Sequence, residues 1–130
     1  MGIFRLWCWL GMVNQIKRGD VVLVNFEPVT GSEQGKIRPA VVLQNNISNK
    51  FSPITIVAPI TSKVYTKEYP TNVLVSKQNS KLDKDSTILI NQIRAIDKQR
   101  IIKELFGLDS FTMNKVDIAI KISLGLDNYS

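Results

Sequence analysis

The residues best equipped for chemistry lie in one stretch, Gly31-Ser32-Glu33-Gln34-Gly35-Lys36-Ile37-Arg38-Pro39. Two glycines bracket a polar triplet, and a basic–apolar–basic run then enters an apolar segment. Glycine tolerates positive φ and close backbone approach, so Gly31 and Gly35 are expected to let this loop fold tightly. Pro39 biases Arg38 toward extended backbone, which predicts an arginine held at a strand mouth. A guanidinium is planar, permanently charged and able to bind two oxygens at once, which suits a phosphate. Backbone N–H groups of the glycine loop can add to such a site. Arginine is a poor base, its pKa lying above about 12. Glu33 is the nearest carboxylate in sequence for that role.

Several chemistries are excluded by what is missing. The 130 residues contain no histidine and a single cysteine, Cys8. That removes the usual acid–base side chain, an internal disulfide and any Cys/His zinc set, so no metal ligands and no cofactor are expected. One unpaired cysteine and no export signal favour a reducing cytoplasm. The formal charge of +6 points to an anionic partner. Between Glu33 and Glu68 the chain carries Lys36, Arg38, Lys50, Lys63 and Lys67 and no acid. That distribution reads either as solvated loop lysines or as an electrostatic lane for a polyphosphate backbone.

The elements that must position Arg38 can be read in order. Residues 1–11 hold both tryptophans and Cys8 and differ in character from the rest of the chain. They are too short to span a bilayer, which needs about 20 apolar residues. An interfacial anchor is one reading; the preferred one makes Met12 the natural start and leaves residues 12–130 as a single domain. Val21–Phe26 and Arg38–Gln44 read as strands apolar on both faces, and Ile54–Ile60 as an alternating strand followed directly by Thr61. Pro59 implies that this strand lacks a full ladder partner there. Asn45–Lys50 reads as turn chemistry. Further strands are expected at Asn72–Val75, at Thr87–Ile96 (interrupted by the amides Asn91 and Gln92) and at Ile101–Phe106. Asp97 is placed to cap the turn Lys98–Arg100.

Ser110–Leu124 is the one substantial helix, stopped by Gly125. Met113, Val116, Ile120 and Leu124 form one apolar stripe, and Phe111, Ile118, Ala119 and Ile122 are assigned to the opposite side. A helix on a single sheet needs one apolar face. Two stripes predict a second subunit. The residues therefore describe a compact, mostly antiparallel β domain that is basic and paired.

These motifs resemble the MazF/PemK family of toxin endoribonucleases. The resemblance rests on the Gly31–Pro39 loop after Arg18-Gly19-Asp20, on Gln44–Pro53, Ile60-Thr61, Asn91–Arg100 and Ile122–Leu126, and it covers roughly residues 17 to 126. It implies a mainly β fold, the SH3-like small antiparallel barrel of the MazF/PemK/CcdB type with a C-terminal helix, assembled as a homodimer. It also implies sequence-specific, metal-independent cleavage of single-stranded RNA and inhibition by a MazE-like antitoxin. Carried over residue by residue, the catalytic positions are Arg38 and Thr61; Glu33 falls at a loop position associated with RNA contact and joins them as the candidate base only through its nearness in sequence. Ser32, Gln34, Lys36, Asn45 and Gln92 fall at RNA-contacting positions. Asn72 stands where close relatives often have histidine, and Asn91 where they have glutamate, which bears on the recognised bases or the antitoxin contact.

The implied reaction fits the residue inventory. RNA carries its own nucleophile, the 2′-hydroxyl beside the scissile phosphate, so no Ser, Cys or His attack group is needed. The protein must supply alignment and charge stabilisation, and the products carry a 2′,3′-cyclic phosphate and a 5′-hydroxyl. Two rivals stand beside it. A gyrase-poisoning toxin of the same fold typically ends Trp-Gly-Ile, whereas this chain ends Asp127-Asn128-Tyr129-Ser130. A non-catalytic RNA-binding module would require exposed aromatics for stacking.

Overall fold

The computed structural model describes residues 15–28, 30–33 and 35–127. The segment read as an N-terminal extension, and Gln34 within the loop, lie outside the described residues. Seven strands occur in the order β1 (Asp20–Asn25), β2 (Ile37–Val42), β3 (Ile54–Thr61), β4 (Asn72–Val75), β5 (Ser86–Leu89), β6 (Arg94–Asp97) and β7 (Ile101–Gly107). A short helix, α1 (Asn46–Phe51), joins β2 to β3, and a longer one, α2 (Ser110–Ser123), closes the described chain. The strands are antiparallel and run β4-β5-β3-β2-β1-β7, with β6 also pairing β3. The expected mainly antiparallel β fold with a C-terminal helix is present, and the end strands β4 and β7 do not pair, so the seven-stranded sheet is not closed.

The expectation that β1 and β2 are apolar on both faces is met, because the sheet buries both. Val21, Val41, Ala58, Ile60, Val73 and Ile88 form one cluster, covered by Val116 and Ala119 of α2. Val22, Val24, Ala40, Val42 and Val57 form the other, filled in by Ile16, Phe26, Ile96 and Ile101. The period-2 alternation of a strand thus assigns neighbouring residues to different cores. Register shifts between β1 and β7, at Val21/Val22 and at Leu23/Val24, mark bulges, which bend a strand and raise its twist.

β3 has two partners along one edge. Ile54–Val57 pairs with β6, whereas Ile60 and Thr61 pair with β5. Pro59, which has no N–H to give, lies in the gap between them, which satisfies its requirement within a central strand. The same arrangement breaks the expected Thr87–Ile96 strand. Its two halves occupy different stretches of β3, and a 3₁₀ turn at Ile90–Gln92 makes the step at the paired amides. Asp97 caps the following turn as expected, accepting from the Gln99 N–H.

Helix α2 sits at the expected position, N-capped by Asp109, whose side chain accepts from the Thr112 N–H. That hydrogen bond is the main reason the Asp109 carboxyl is held below its ordinary pKa. Met113, Val116, Ala119 and Ile120 face the sheet. Ala119 therefore belongs to the inner stripe, being three residues on from Val116. Phe111, Ile118 and Leu124 are exposed at 70%, 53% and 56%. Two contacts dock the helix on the β1 entry. Gly19 has φ +94, and a Cβ there would lie 3.5 Å from the Met113 side chain. Arg18 donates from Nε to the Leu43 carbonyl at 2.9 Å and from Nη2 to Asp117 Oδ1 at 2.6 Å.

The expected turn at Asn45–Lys50 is instead helix α1, capped by the Asn45 side chain accepting from the Ser48 N–H. Six residues are too few to be stable by propensity alone. A buried polar network holds them. Asn49 is fully buried; its Nδ2 donates to the Gln44 carbonyl at 2.8 Å, and its Oδ1 accepts from Thr55 Oγ1 at 2.8 Å and Gln44 Nε2 at 3.1 Å. Lys98 Nζ, also buried, donates to the Asn49 carbonyl, and burial pushes its pKa down.

Asn49→Ala would strand several of these groups at once. It is expected to lower the unfolding free energy by about 3 kcal/mol in chemical denaturation. Ile47→Ser, on the exposed side of the same helix, should stay within about 0.5 kcal/mol of the parent. Equal losses in the two variants would refute the buried network.

Candidate active site

Arg38 is the second residue of β2 and half-buried. Its Nε donates to the Gly35 carbonyl at 2.8 Å. Thr61 is the last residue of β3 and 8% exposed. The β2–β3 ladder pairs Val42 with Val57, Val41 with Ala58 and Ala40 with Pro59. Carried on for two residues past its last pair, the same register would set Arg38 across from Thr61 on one face of the sheet. Strand pairing thus brings two residues distant in sequence to the shared end of β2 and β3.

The backbone just past Thr61 is clamped. Thr61 Oγ1 accepts the Lys63 N–H at 3.2 Å, and Thr87 Oγ1 donates to the Lys63 carbonyl at 2.9 Å. Thr61 and Thr87 are themselves register partners across β3 and β5. Because the Thr61 hydroxyl is used as an acceptor, its proton is left for donation to a ligand.

A cavity of about 390 Å³ opens beside Arg38, and β3 contributes Ile60 and its end contributes Ser62 to the wall, while Thr61 between them does not line it. Its other side is the 82–86 segment, which contributes Asp83, Lys84 and Ser86. Nothing in the sequence singles these three out. Their alternating charges match any solvated turn, and only the β3–β5 pairing carries that turn to Arg38.

The remaining sequence candidates divide by position. Ser32, Glu33 and Lys36 are exposed on the β1–β2 loop that leads into Arg38. Glu33 closes a local ring, its Oε1 accepting the Thr30 N–H at 2.8 Å while its own N–H donates to the Thr30 carbonyl at 3.3 Å. Asp83, not Glu33, is the carboxylate lining the cavity with Arg38. Asn45 caps α1 beyond the far end of β2, seven residues past Arg38, roughly 20 Å along an extended chain. Gln92 lies in the 3₁₀ turn between β5 and β6, away from the Arg38 end.

The expected role of the glycines needs one correction. Gly31 has φ +59, as its type allows, but among the other described loop residues the left-handed one is Lys36 at φ +66, not Gly35. Two hydrogen bonds hold Lys36 there. Its N–H donates to Glu27 Oε1 at 2.6 Å, and its carbonyl accepts the Phe26 N–H at 2.9 Å.

The segment after Thr61 carries surface aromatics. Tyr65 and Tyr69 meet edge to face, centroids 6.0 Å apart, with Lys63 Nζ 4.8 Å over the first ring and Lys67 Nζ 5.7 Å over the second. They line a larger cavity, about 640 Å³, between this segment, β4 and the edge of α2 formed by Lys115, Ile118 and Ala119. Among the described residues no three His, Cys, Asp or Glu side chains gather to hold a metal ion. No described helix is long and apolar enough to cross a membrane.

Comparison with known proteins gives the family and the fold. Residues 17–124 match the family described as PemK-like, MazF-like toxin of type II toxin-antitoxin system. An Endoribonuclease MazF of Staphylococcus epidermidis is 50% identical over 114 residues, covering 88% of this chain and 95% of that protein. The crystal structure of MazF from Deinococcus radiodurans superposes with a TM-score of 0.73 at 28% identity, covering 85% of this chain and 96% of that one. A MazE–MazF structure from the same organism gives 0.64 at 25% identity, with the same coverage. The loop, the strand register and the family match coincide on one stretch of chain, which belongs to the PemK-like, MazF-like toxin family.

Proposed function

We propose that this chain is a sequence-specific, metal-independent endoribonuclease acting on single-stranded RNA in the cytoplasm, as the toxin of a type II toxin–antitoxin pair. The observation that supports the reading is the meeting of Arg38, near the start of β2, and Thr61, at the end of β3, at the shared end of two paired strands, with a cavity beside Arg38, in a chain half identical to an Endoribonuclease MazF. Arg38 binds the scissile phosphate and stabilises the charge that builds as the 2′-hydroxyl attacks. Thr61 donates its hydroxyl proton to a phosphate oxygen. The attacking hydroxyl loses its proton to a carboxylate, for which Asp83 in the cavity wall is better placed than the expected Glu33. The leaving 5′-oxygen takes a proton from solvent, to which the carboxyl gives up the one it accepted, and the other product ends in a 2′,3′-cyclic phosphate.

Ser32, Gln34 and Lys36 contact the RNA on one side of the cut. Lys63, Tyr65, Lys67 and Tyr69 offer charge and stacking surface on the other. Asn45 and Gln92 join as contacts farther along the strand. The active form is a homodimer joined through the outer face of α2, where Phe111 and Ile118 are exposed. A MazE-like antitoxin inhibits it, by analogy with the MazE–MazF complex of Deinococcus radiodurans.

Mapping the cut ends of a long RNA tests the core of this reading. Arg38→Ala should fold normally yet cleave at least about 100-fold more slowly, the scale for one transition-state donor. Undiminished cleavage would remove Arg38 from the site. EDTA should leave the wild-type rate unchanged, and loss of activity restored by a divalent ion would refute metal independence. Ile118→Glu should convert the dimer to a monomer in sedimentation; a persistent dimer would place the interface elsewhere.

A further inference from the structure

One peptide unit in the β1–β2 loop is held from both sides. The N–H of Lys36 and the carbonyl of Gly35 belong to the same plane. The N–H donates to Glu27 Oε1 at 2.6 Å, and the carbonyl accepts from Arg38 Nε at 2.8 Å. Glu27 is in turn anchored, because Arg100 Nη1 donates to its carbonyl and, at 3.3 Å, to that of Asn25. The geometry points to Glu27 as a positioning residue for Arg38, acting through the Gly35–Lys36 peptide. This inference rests on the reading of Arg38 as the phosphate-binding group.

Three features favour positioning over a plain loop staple. First, Lys36 occupies the left-handed region at φ +66, where a side chain is strained. Flipping the Gly35–Lys36 peptide would turn its carbonyl away from Arg38, and the Glu27 bond is what opposes the flip. Second, the N–H···carboxylate bond is charge-assisted. It polarises the peptide and makes the Gly35 oxygen a stronger acceptor for Nε. Third, Glu27 and Arg38 form no ion pair; the salt bridge among the described residues is Arg18–Asp117. A carboxylate placed directly on Arg38 would compete with phosphate for the guanidinium. Acting through a neutral peptide, Glu27 orients the guanidinium without occupying it, and Nη1 and Nη2 remain for the phosphate.

The test uses the purified full chain and its Glu27→Ala and Glu27→Gln variants. Single-turnover RNA cleavage is measured beside binding of an RNA carrying a 2′-deoxy sugar at the cut site. The Arg38 Nε–H resonance reports the geometry directly. Glu27→Ala should slow cleavage about 10-fold with affinity changed less than about 2-fold, the pattern of a misaligned rather than absent group. Its Arg38 Nε–H should lose protection from solvent exchange. Glu27→Gln keeps a neutral acceptor for the Lys36 N–H and should stay within about 3-fold of wild type in rate. If Glu27→Ala does not fold, Glu27→Asp, one methylene too short for the same bond, carries the test. Wild-type cleavage and an unchanged Nε–H signal in the truncated variant would overturn the inference. So would a Gln variant as slow as the Ala variant but with its Arg38 Nε–H still protected, since the lost rate would then not come from the orientation of Arg38. Undiminished cleavage by Arg38→Ala would instead overturn the functional reading, while the Nε–H signal in Glu27→Ala would still decide the coupling.

Discussion

The pairing of β2 with β3 governs everything built at their shared end. Its three bonded positions, Val42–Val57, Val41–Ala58 and Ala40–Pro59, are buried on both faces of the sheet. A slip of one residue would exchange the two cores, sending Val57 toward α2 and Ala58 away from it. The same slip would take Arg38 off the face it shares with Thr61. The hydrophobic cost of mispacking two cores thus enforces an alignment of two polar side chains that have no bond to each other. The site inherits its geometry from apolar residues that never meet a ligand.

The second constraint is that β3 serves two partners on one edge, β6 along its first half and β5 at its end. That division makes room for Pro59 and delivers the 82–86 segment to the Arg38 cavity. It also sets Thr87 beside Thr61, so two hydroxyls clamp the backbone of Lys63. A rigid scaffold holding a functional segment by its root is the common arrangement for sites on loops.

Much of this was legible in the residues, for identifiable reasons. Alternation and continuous apolar runs marked β1, β2 and β3, because burial on one or both faces leaves a direct trace in residue type. Asp97 was readable because capping is local chemistry, and the Ser110–Leu124 helix because its apolar spacing and the Gly125 stop are local too. The misses share a different cause. Helix α1 looked like a turn because its stability comes from Asn49, Thr55, Gln44 and Lys98 meeting across the fold, not from its own six residues. The Thr87–Ile96 run looked like one strand because its break is set by β3, which its own pattern does not encode. Asp83 could not be told from the neighbouring solvated charges until topology placed it by Arg38. Arg38 and Thr61 were reached through a motif, and the β2–β3 pairing supplies the physical reason that two such distant positions lie at one end of the sheet.

The left-handed residue is the instructive case. A glycine pair read from sequence suggested a loop made pliable at both ends, yet the strained position is taken by a lysine. Gly35 supplies the carbonyl that orients Arg38, and Lys36 supplies the N–H that Glu27 holds. A glycine at position 36 would adopt the same conformation without strain, but it would also leave it more readily, since glycine populates both signs of φ. With lysine the left-handed state exists only while its hydrogen bonds are made. The conformation of the loop and the orientation of the guanidinium are then a single event. A site whose chemistry depends on one fixed cation gains from that coupling, because any opening of the loop also releases the arginine.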